Sequence, residues 1–194
     1  MVDHKNAFAL EKKLFDLLKD HPKCKKYKLS LHEDDIYGID IVATAKLYEG
    51  FAIELESTQG ALKWPKEVPY PPSWKKGYSV PARKKKFFES HPLSVYIKVN
   101  MDMTRAFVAP MSYICSSGES EYDNENAHHM KRNDFFVIQD PNHPATCCCP
   151  IGDLGDVLDA QFRAMYEMKK INEKHTDKRP EFSNAFTKNG NKEN

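Results

Sequence analysis

The chain has 194 residues, a length that suits one domain, predicted over residues 1–174, with a disordered tail over 175–194. Its 29 Lys and Arg residues nearly balance 28 Asp and Glu residues, so only the local distribution of charge informs on partners. No apolar run approaches the roughly 20 residues of a membrane span, and the N-terminus lacks a signal peptide's apolar core. We therefore expect a soluble cytoplasmic protein that makes no contact with membranes.

The first predicted element is a helix of about four turns, which begins after Asp3 and ends at His21. Its periodicity predicts an inner stripe made of Phe8, Glu11, Phe15 and Leu18. A carboxylate on an apolar face needs a partner, unless Glu11 lies at the edge of the stripe and reaches solvent or a lysine. A short strand is predicted next, around residues 27–31.

A hairpin is predicted over residues 36–57, with the sequence IYGIDIVATAKLYEGFAIELES. Its turn spans residues 46–50, where Gly50 is available for a positive φ. Because side chains alternate between the faces of a strand, Asp40, Glu54 and Glu56 lie opposite the apolar residues. Three acids on one face repel one another, unless that face meets water or a cation lies among them.

A proline-rich stretch over 58–79 is predicted to be a long loop, and a short helix is predicted over 81–90. Both segments mix basic residues with aromatic rings, a combination that binds the phosphates and unpaired bases of nucleic acid. The predicted DNA-binding residues are Lys63, Trp64, Lys66, Trp74, Lys75, Lys76, Arg83, Lys84, Lys85 and Lys86. The alternative is a solvated charged helix beside a loop whose rings fill the core.

The second half of the chain is predicted to complete the domain. The pattern predicts a second hairpin, a polar surface excursion, a further strand and a last helix, over 94–109, 111–133, 134–139 and 154–174. Cys147, Cys148 and Cys149 are ligand types for zinc, but consecutive cysteines are poorly spaced for a tetrahedral site. We favour the alternative that they are free, buried thiols before a helix.

The acids of the first helix and the hairpin together indicate a metal site. Carboxylate oxygens are the ligands that Mg²⁺ prefers, and Mg²⁺ typically uses one or two of them while substrate phosphates and waters take other positions. Metal ions bound in this way activate water for attack on a phosphodiester. The neighbouring basic segment would supply contacts to the phosphates.

These residues resemble the PD-(D/E)xK nuclease superfamily, which includes Holliday junction resolvases and many type II restriction endonucleases. The resemblance covers roughly residues 5–110 and rests on a helix glutamate, an aspartate strand GIDIVA and a glutamate strand AIELES. It implies an α/β, restriction-endonuclease-like fold, with a mixed central β-sheet flanked by helices, to which residues 134–174 add a strand and a helix. It also permits a homodimer.

The resemblance further implies a role for each acid. Asp40 and Glu54 bind Mg²⁺ or Mn²⁺, with help from the carbonyl of Leu55 and the carboxylate of Glu11. Glu56 departs from the family, which usually has lysine at this position. Either Glu56 acts as a general base or further metal ligand, or a lysine from elsewhere, Lys63 or one of residues 84–86, supplies the charge.

The resemblance and the residues together predict a Mg²⁺-dependent deoxyribonuclease that hydrolyses phosphodiester bonds of DNA. Its predicted catalytic residues are Asp40, Glu54 and Glu56. The alternative is a non-catalytic nucleic-acid-binding or assembly protein on the same fold, whose acids are residual.

Overall fold

A computed structural model describes most of the chain, namely residues 4–31, 40–57, 78–81, 84–100, 102–116, 119–121, 134–138 and 143–176. The helices of this part are α1 (His4–Asp20), α2 (Lys85–Ser90), α3 (Met111–Ser116) and α4 (Leu154–Thr176). The strands are β1 (Leu29–Leu31), β2 (Ile41–Ala43), β3 (Phe51–Ser57), β4 (Tyr78–Pro81), β5 (Leu93–Val99), β6 (Arg105–Pro110), β7 (Glu119–Glu121), β8 (Asp134–Ile138) and β9 (Cys147–Pro150).

Six strands form one mixed sheet in the order β1-β2-β3-β5-β6-β9. Neighbouring strands in this sheet run antiparallel, except that β3 and β5 run parallel. The strands β4, β8 and β7 form a second, three-stranded antiparallel sheet. The predicted α/β class, with a mixed sheet flanked by helices, is therefore confirmed.

The main core lies between one face of the six-stranded sheet and the helices α1 and α4. Buried leucines of α1, Leu14 and Leu18, meet Leu158 and Phe162 of α4 in this core. The α4 residues recur at helical spacing, so one face of that helix is apolar, as the sequence predicts. The other sheet face holds a smaller cluster, in which Tyr96 packs with residues of β4, β6 and α3.

The predicted first hairpin is confirmed by the antiparallel strands β2 and β3, in which Ile41 pairs with Ile53. A short 3₁₀ turn joins the strands, and Gly50 has the positive φ of 89° that the sequence suggests. Both isoleucines are buried in the main core, so strand alternation places Asp40 and Glu54 on the opposite face. The predicted start of this hairpin, residues 36–39, lies outside the described residues.

The second hairpin is also confirmed, because β5 and β6 pair antiparallel from Val95 to Val99. The strand predicted at 134–139 is present as β8, and the last helix is present as α4. The segment predicted at 27–31 forms a 3₁₀ turn and then β1.

Two predictions of local structure are wrong. The helix predicted over 81–90 begins only at Lys85, because Pro81 ends β4, where it pairs with Phe135. The surface excursion predicted over 111–133 begins instead with α3, in which Met111 and Ile114 are fully buried. These two residues stand three apart and so share one face of the helix, a short apolar signal inside a polar segment. Residues 122–133 of that segment lie outside the described part.

The inner stripe of α1 also differs from the prediction. Leu14 and Leu18 are buried, whereas Phe15 and Glu11 are only partly buried at the edge of that face. The side chain of Phe8 lies outside the described residues. No helix in the described part of the chain has both the length and the apolar character needed to cross a membrane.

Candidate active site

The site begins at the paired strands β2 and β3. The register that pairs Ile41 with Ile53 brings Asp40 to the rung beside Glu54. Asp40 Oδ2 accepts a hydrogen bond of 2.5 Å from the Leu55 N–H, which fixes the aspartate against β3. The two carboxylates predicted to bind metal are therefore neighbours on one face of the sheet. Asp40 thus binds the N–H of Leu55. That the Leu55 carbonyl binds metal stays a prediction.

Glu54 is the most deeply buried acid of the site. Its side chain is 1% exposed, and its Oε1 makes an ion pair with the Nζ of Lys84 at the start of α2. Within the described residues neither Glu54 oxygen accepts a hydrogen bond of normal geometry. A buried carboxylate with unfilled acceptor positions is unfavourable for folding and is typical of a functional site.

Burial shifts the ionisation of three neighbouring groups. It raises the pKa of Asp40 to about 7, opposed by the Leu55 N–H, while the charge of Glu11 raises this pKa further and Lys84 lowers it. Burial also raises the pKa of Glu11, which Lys84 opposes. The pKa of Lys84 is lowered by burial and raised by Asp40 and Glu11. Glu11 therefore lies within electrostatic range of Asp40 and Lys84, and its predicted role as a metal ligand stays a prediction.

A second carboxylate–lysine pair lies beside the first. The parallel register of β3 and β5 pairs Glu54 with Tyr96 and Glu56 with Lys98. Glu56 Oε1 accepts a hydrogen bond of 3.1 Å from Lys98 Nζ, and Glu56 Oε2 accepts one from the Tyr96 hydroxyl. Both oxygens of Glu56 are thus engaged by β5, while its side chain remains 30% exposed.

The predicted repulsion between the acids is reduced by two lysines, because Lys84 pairs with Glu54 and Lys98 pairs with Glu56. In the described residues, four carboxylates lie in or beside the site, and two lysine ammonium groups contact them. When all six groups are ionised, their net charge is −2, which one divalent cation would neutralise. Burial is the main cause of the raised pKa of Asp40, and the negative charge of Glu11 adds to it.

The donor set fits a hard cation. All candidate ligands are carboxylate oxygens, and apart from the ion pair with Lys84 neither Glu54 oxygen has a hydrogen-bond partner among the described residues. Within the described residues no three His, Cys, Asp or Glu side chains lie close enough together to hold a metal. Mg²⁺ needs only one or two carboxylates, so Asp40 and Glu54 suffice as its protein ligands.

Most of the predicted DNA-binding residues lie outside the described part, namely Lys63, Trp64, Lys66, Trp74, Lys75, Lys76 and Arg83. The side chain of Lys84 is only 14% exposed and faces the carboxylates. Lys85 and Lys86 are exposed on α2, where Lys86 Nζ lies 4.9 Å from the centre of the Phe87 ring. Only Lys85 and Lys86 of the predicted surface are therefore seen as exposed cations.

The cysteines form a separate feature, remote in sequence from the carboxylates. All five are free thiols, as predicted. Cys147, Cys148 and Cys149 lie in β9, the strand beside β6 at the edge of the sheet, rather than in a loop. Only Cys149 of the three is buried.

No family model matches the chain, and neither a curated protein nor a solved structure matches it at a significant level.

Tyr96 and Lys98 are the site residues that sequence reasoning missed. They occupy alternate positions in a strand, as Glu54 and Glu56 do, so a signal for one polar face was present. What the sequence does not show is that this strand lies parallel and next to β3, because such pairing joins segments distant in the chain.

Proposed function

We propose that this chain is a Mg²⁺-dependent nuclease that hydrolyses phosphodiester bonds of DNA, with a restriction-endonuclease-like fold. The strand order supports the fold: the antiparallel strands β1, β2 and β3 are followed by a crossover to β5, parallel to β3. The acids lie at that crossover. Asp40 and Glu54 would hold the metal ion, and Glu11 lies within electrostatic range of Asp40.

The observation that carries the proposal is the position of Lys84. It places an ammonium group on the buried Glu54 carboxylate, within electrostatic range of Asp40. The sequence lacks lysine at position 56, and α2 supplies one from another part of the chain. An ammonium group beside a metal-bound phosphate stabilises the negative charge that develops during attack by water.

The chemistry of each group follows from its contacts. A divalent ion on Asp40 and Glu54 would polarise the phosphate and lower the pKa of a bound water. Lys84 would donate hydrogen bonds to a phosphate oxygen, since lysine binds phosphate as a point charge. Glu56 is already bound by Tyr96 and Lys98, so we assign the role of the missing lysine to Lys84.

A metal-dependent cleavage assay tests the proposal. Purified protein is incubated with labelled duplex, single-stranded and branched DNA, with Mg²⁺, Mn²⁺ or a chelator. We expect strand scission with Mg²⁺ or Mn²⁺ and none with chelator. Asp40→Asn should remove cleavage while preserving the thermal unfolding midpoint within a few degrees. Lys84→Met should also remove cleavage, and it should lower that midpoint, because it leaves the buried Glu54 carboxylate without its ion pair. Lys46→Met, an exposed lysine in the β2–β3 turn, is the matched control for loss of charge.

Two results would overturn the proposal. Wild-type protein that binds these DNAs but cleaves none of them would show that the chain is not a nuclease. Cleavage that survives both Asp40→Asn and Lys84→Met would show that the catalytic centre lies elsewhere.

One observation favours the alternative, a non-catalytic nucleic-acid-binding or assembly protein. The Lys84 ammonium already neutralises Glu54, so the fold supplies a cation of its own at this position. Calorimetric titration with Mn²⁺ separates the two functions. Metal binding that is lost in Asp40→Asn supports the nuclease, and absence of any binding supports the alternative.

A further inference from the structure

The cluster of Glu56, Tyr96 and Lys98 has no role in the nuclease site as proposed so far. Its three residues lie on the same sheet face as Glu54: Tyr96 pairs with Glu54, and Glu56 and Lys98 lie two residues further along β3 and β5. Two residues of a strand span about 6.6 Å, a distance similar to that between adjacent phosphates of one nucleic-acid strand. Glu56 and Lys98 are therefore about one nucleotide away from the proposed metal ligands.

Exposure increases from Glu54 to Glu56 along β3 and from Tyr96 to Lys98 along β5. Glu54 is 1% exposed and Tyr96 is fully buried, whereas Lys98 and Glu56 have side chains that are 13% and 30% exposed. The polar face is therefore more exposed at Glu56 and Lys98 than at Glu54, while Asn100, which follows Lys98 on the same face, is buried. A DNA strand that reaches the buried carboxylates from outside would run past Glu56 and Lys98.

The contacts within the cluster hold Lys98 in place. Glu56 Oε1 accepts one of the three protons of the Lys98 ammonium, and the buried Tyr96 hydroxyl fixes Glu56 through its other oxygen. A lysine on a strand with its ammonium fixed loses less side-chain freedom when it binds a phosphate than a lysine in solvent does.

We propose that Lys98 binds the phosphate adjacent to the one that is cleaved, and that Glu56 and Tyr96 are positioning residues for it. The inference rests on the proposed nuclease function, because that function defines which phosphate is cleaved. It assigns Glu56 to the orientation of Lys98 rather than to proton transfer from water.

The salt dependence of DNA binding tests Lys98 directly. Binding of a fluorescein-labelled duplex is measured by anisotropy in the presence of Ca²⁺, from 50 to 200 mM salt, for wild type, Lys98→Met, Lys98→Arg and Lys46→Met. Loss of one phosphate contact lowers the log–log slope by about 0.9, so the affinity deficit of Lys98→Met should shrink about threefold across this range. Lys98→Arg and Lys46→Met should keep the wild-type slope. A slope for Lys98→Met equal to that of wild type would overturn the proposal.

A double-mutant cycle on cleavage tests the role of Glu56. If Glu56 acts through Lys98, Glu56→Gln lowers kcat in the wild-type background and changes it less than twofold in the Lys98→Met background. A further loss of about 100-fold in that background would show that Glu56 transfers a proton, which overturns the positioning role. If the wild type does not cleave, the nuclease proposal fails, while the binding slopes still decide whether Lys98 contacts phosphate.

Discussion

Two buried carboxylates in this molecule have opposite surroundings. Asp159 of α4 is 3% exposed and accepts from the Tyr27 hydroxyl at 2.6 Å, from Lys26 Nζ at 2.6 Å and from Arg163 Nη2 at 3.0 Å. Burial raises its pKa, but the hydrogen bonds from Lys26 and Tyr27 prevail and hold that pKa below its usual value. Glu54 is equally buried and accepts no normal hydrogen bond from a described residue.

The difference separates structure from function. Asp159 joins α4 to the segment after α1, and each of its oxygens has a donor, as expected of a buried polar group that stabilises a fold. Among the described residues Glu54 has only the ion pair with Lys84, so the described part of the fold leaves acceptor capacity of this carboxylate unused. Substitutions at these two acids should therefore have opposite effects on stability and on activity.

The largest expected effect is the loss of activity in Glu54→Gln. The amide keeps the shape but removes the charge that binds a metal ion, so cleavage should fall at least about 10³-fold, equivalent to about 4 kcal/mol. The free energy of unfolding should change little, because the buried charge is removed together with its desolvation cost. Single-turnover cleavage and urea unfolding measure the two quantities. A large loss of stability would place Glu54 in the same structural class as Asp159.

The reverse result is expected for Asp159→Asn. This substitution weakens a buried ion pair with three donors and should lower the free energy of unfolding by about 3 kcal/mol. Cleavage per folded molecule should stay within twofold of wild type. Urea unfolding gives the first value and active-site titration the second, and reduced activity in fully folded protein would contradict the separation.

The pH dependence of the unfolding free energy should reveal the cost of ionising the buried Asp40 carboxyl group. Its folded-state pKa of about 7 lies above the usual value of 3.8, so between these pH values the folded state binds more protons than the unfolded state. The stabilisation is complete below about pH 4 and is lost as the pH rises through 7. With chelator, wild type should lose about 2 kcal/mol relative to Asp40→Asn from pH 4 to pH 8, less than the full shift because the group is partly exposed. Parallel pH profiles for the two proteins would contradict this.

The smallest effect is expected at Gly155, in the Asp159 region. A Cβ at this position would lie 2.3 Å from the His21 ring, which is a steric clash. The ring must therefore move in the folded Gly155→Ala variant. We expect a loss of about 1 kcal/mol in unfolding free energy and unchanged cleavage. Gly152→Ala is the control, because nothing lies within 4 Å of a Cβ there. Equal stability of the two variants would show that this packing is loose.

The sequence predicts the parts of this molecule that depend on short-range pattern. Alternation in the first hairpin correctly puts Asp40 and Glu54 on one face, and Gly50 marks its turn. Polar segments hide short apolar signals, so α3 and its buried Met111 and Ile114 were not predicted. The cysteine run gave no strand signal, yet it pairs with β6.

The site was only half predictable for a related reason. Glu11 and Glu54 can be recognised in the sequence because each is an acid among apolar residues. Lys84 is one of several lysines in a row, and nothing in the sequence distinguishes it from Lys85. Lys98 becomes a neighbour of Glu56 only through parallel pairing of distant strands. Contacts set by topology are not encoded in any local spacing.

The shared core of α1 and α4 has a consequence for synthesis of the protein. Leu14 and Leu18 share one core with Leu158 and Phe162, residues that are synthesised long after them. At about 5–20 residues per second, a ribosome needs roughly 7–30 s to extend the chain from the first pair to the second. During this interval the apolar residues of the α1 segment are not buried against α4. A chaperone that binds exposed apolar segments would bind the nascent chain at this stage.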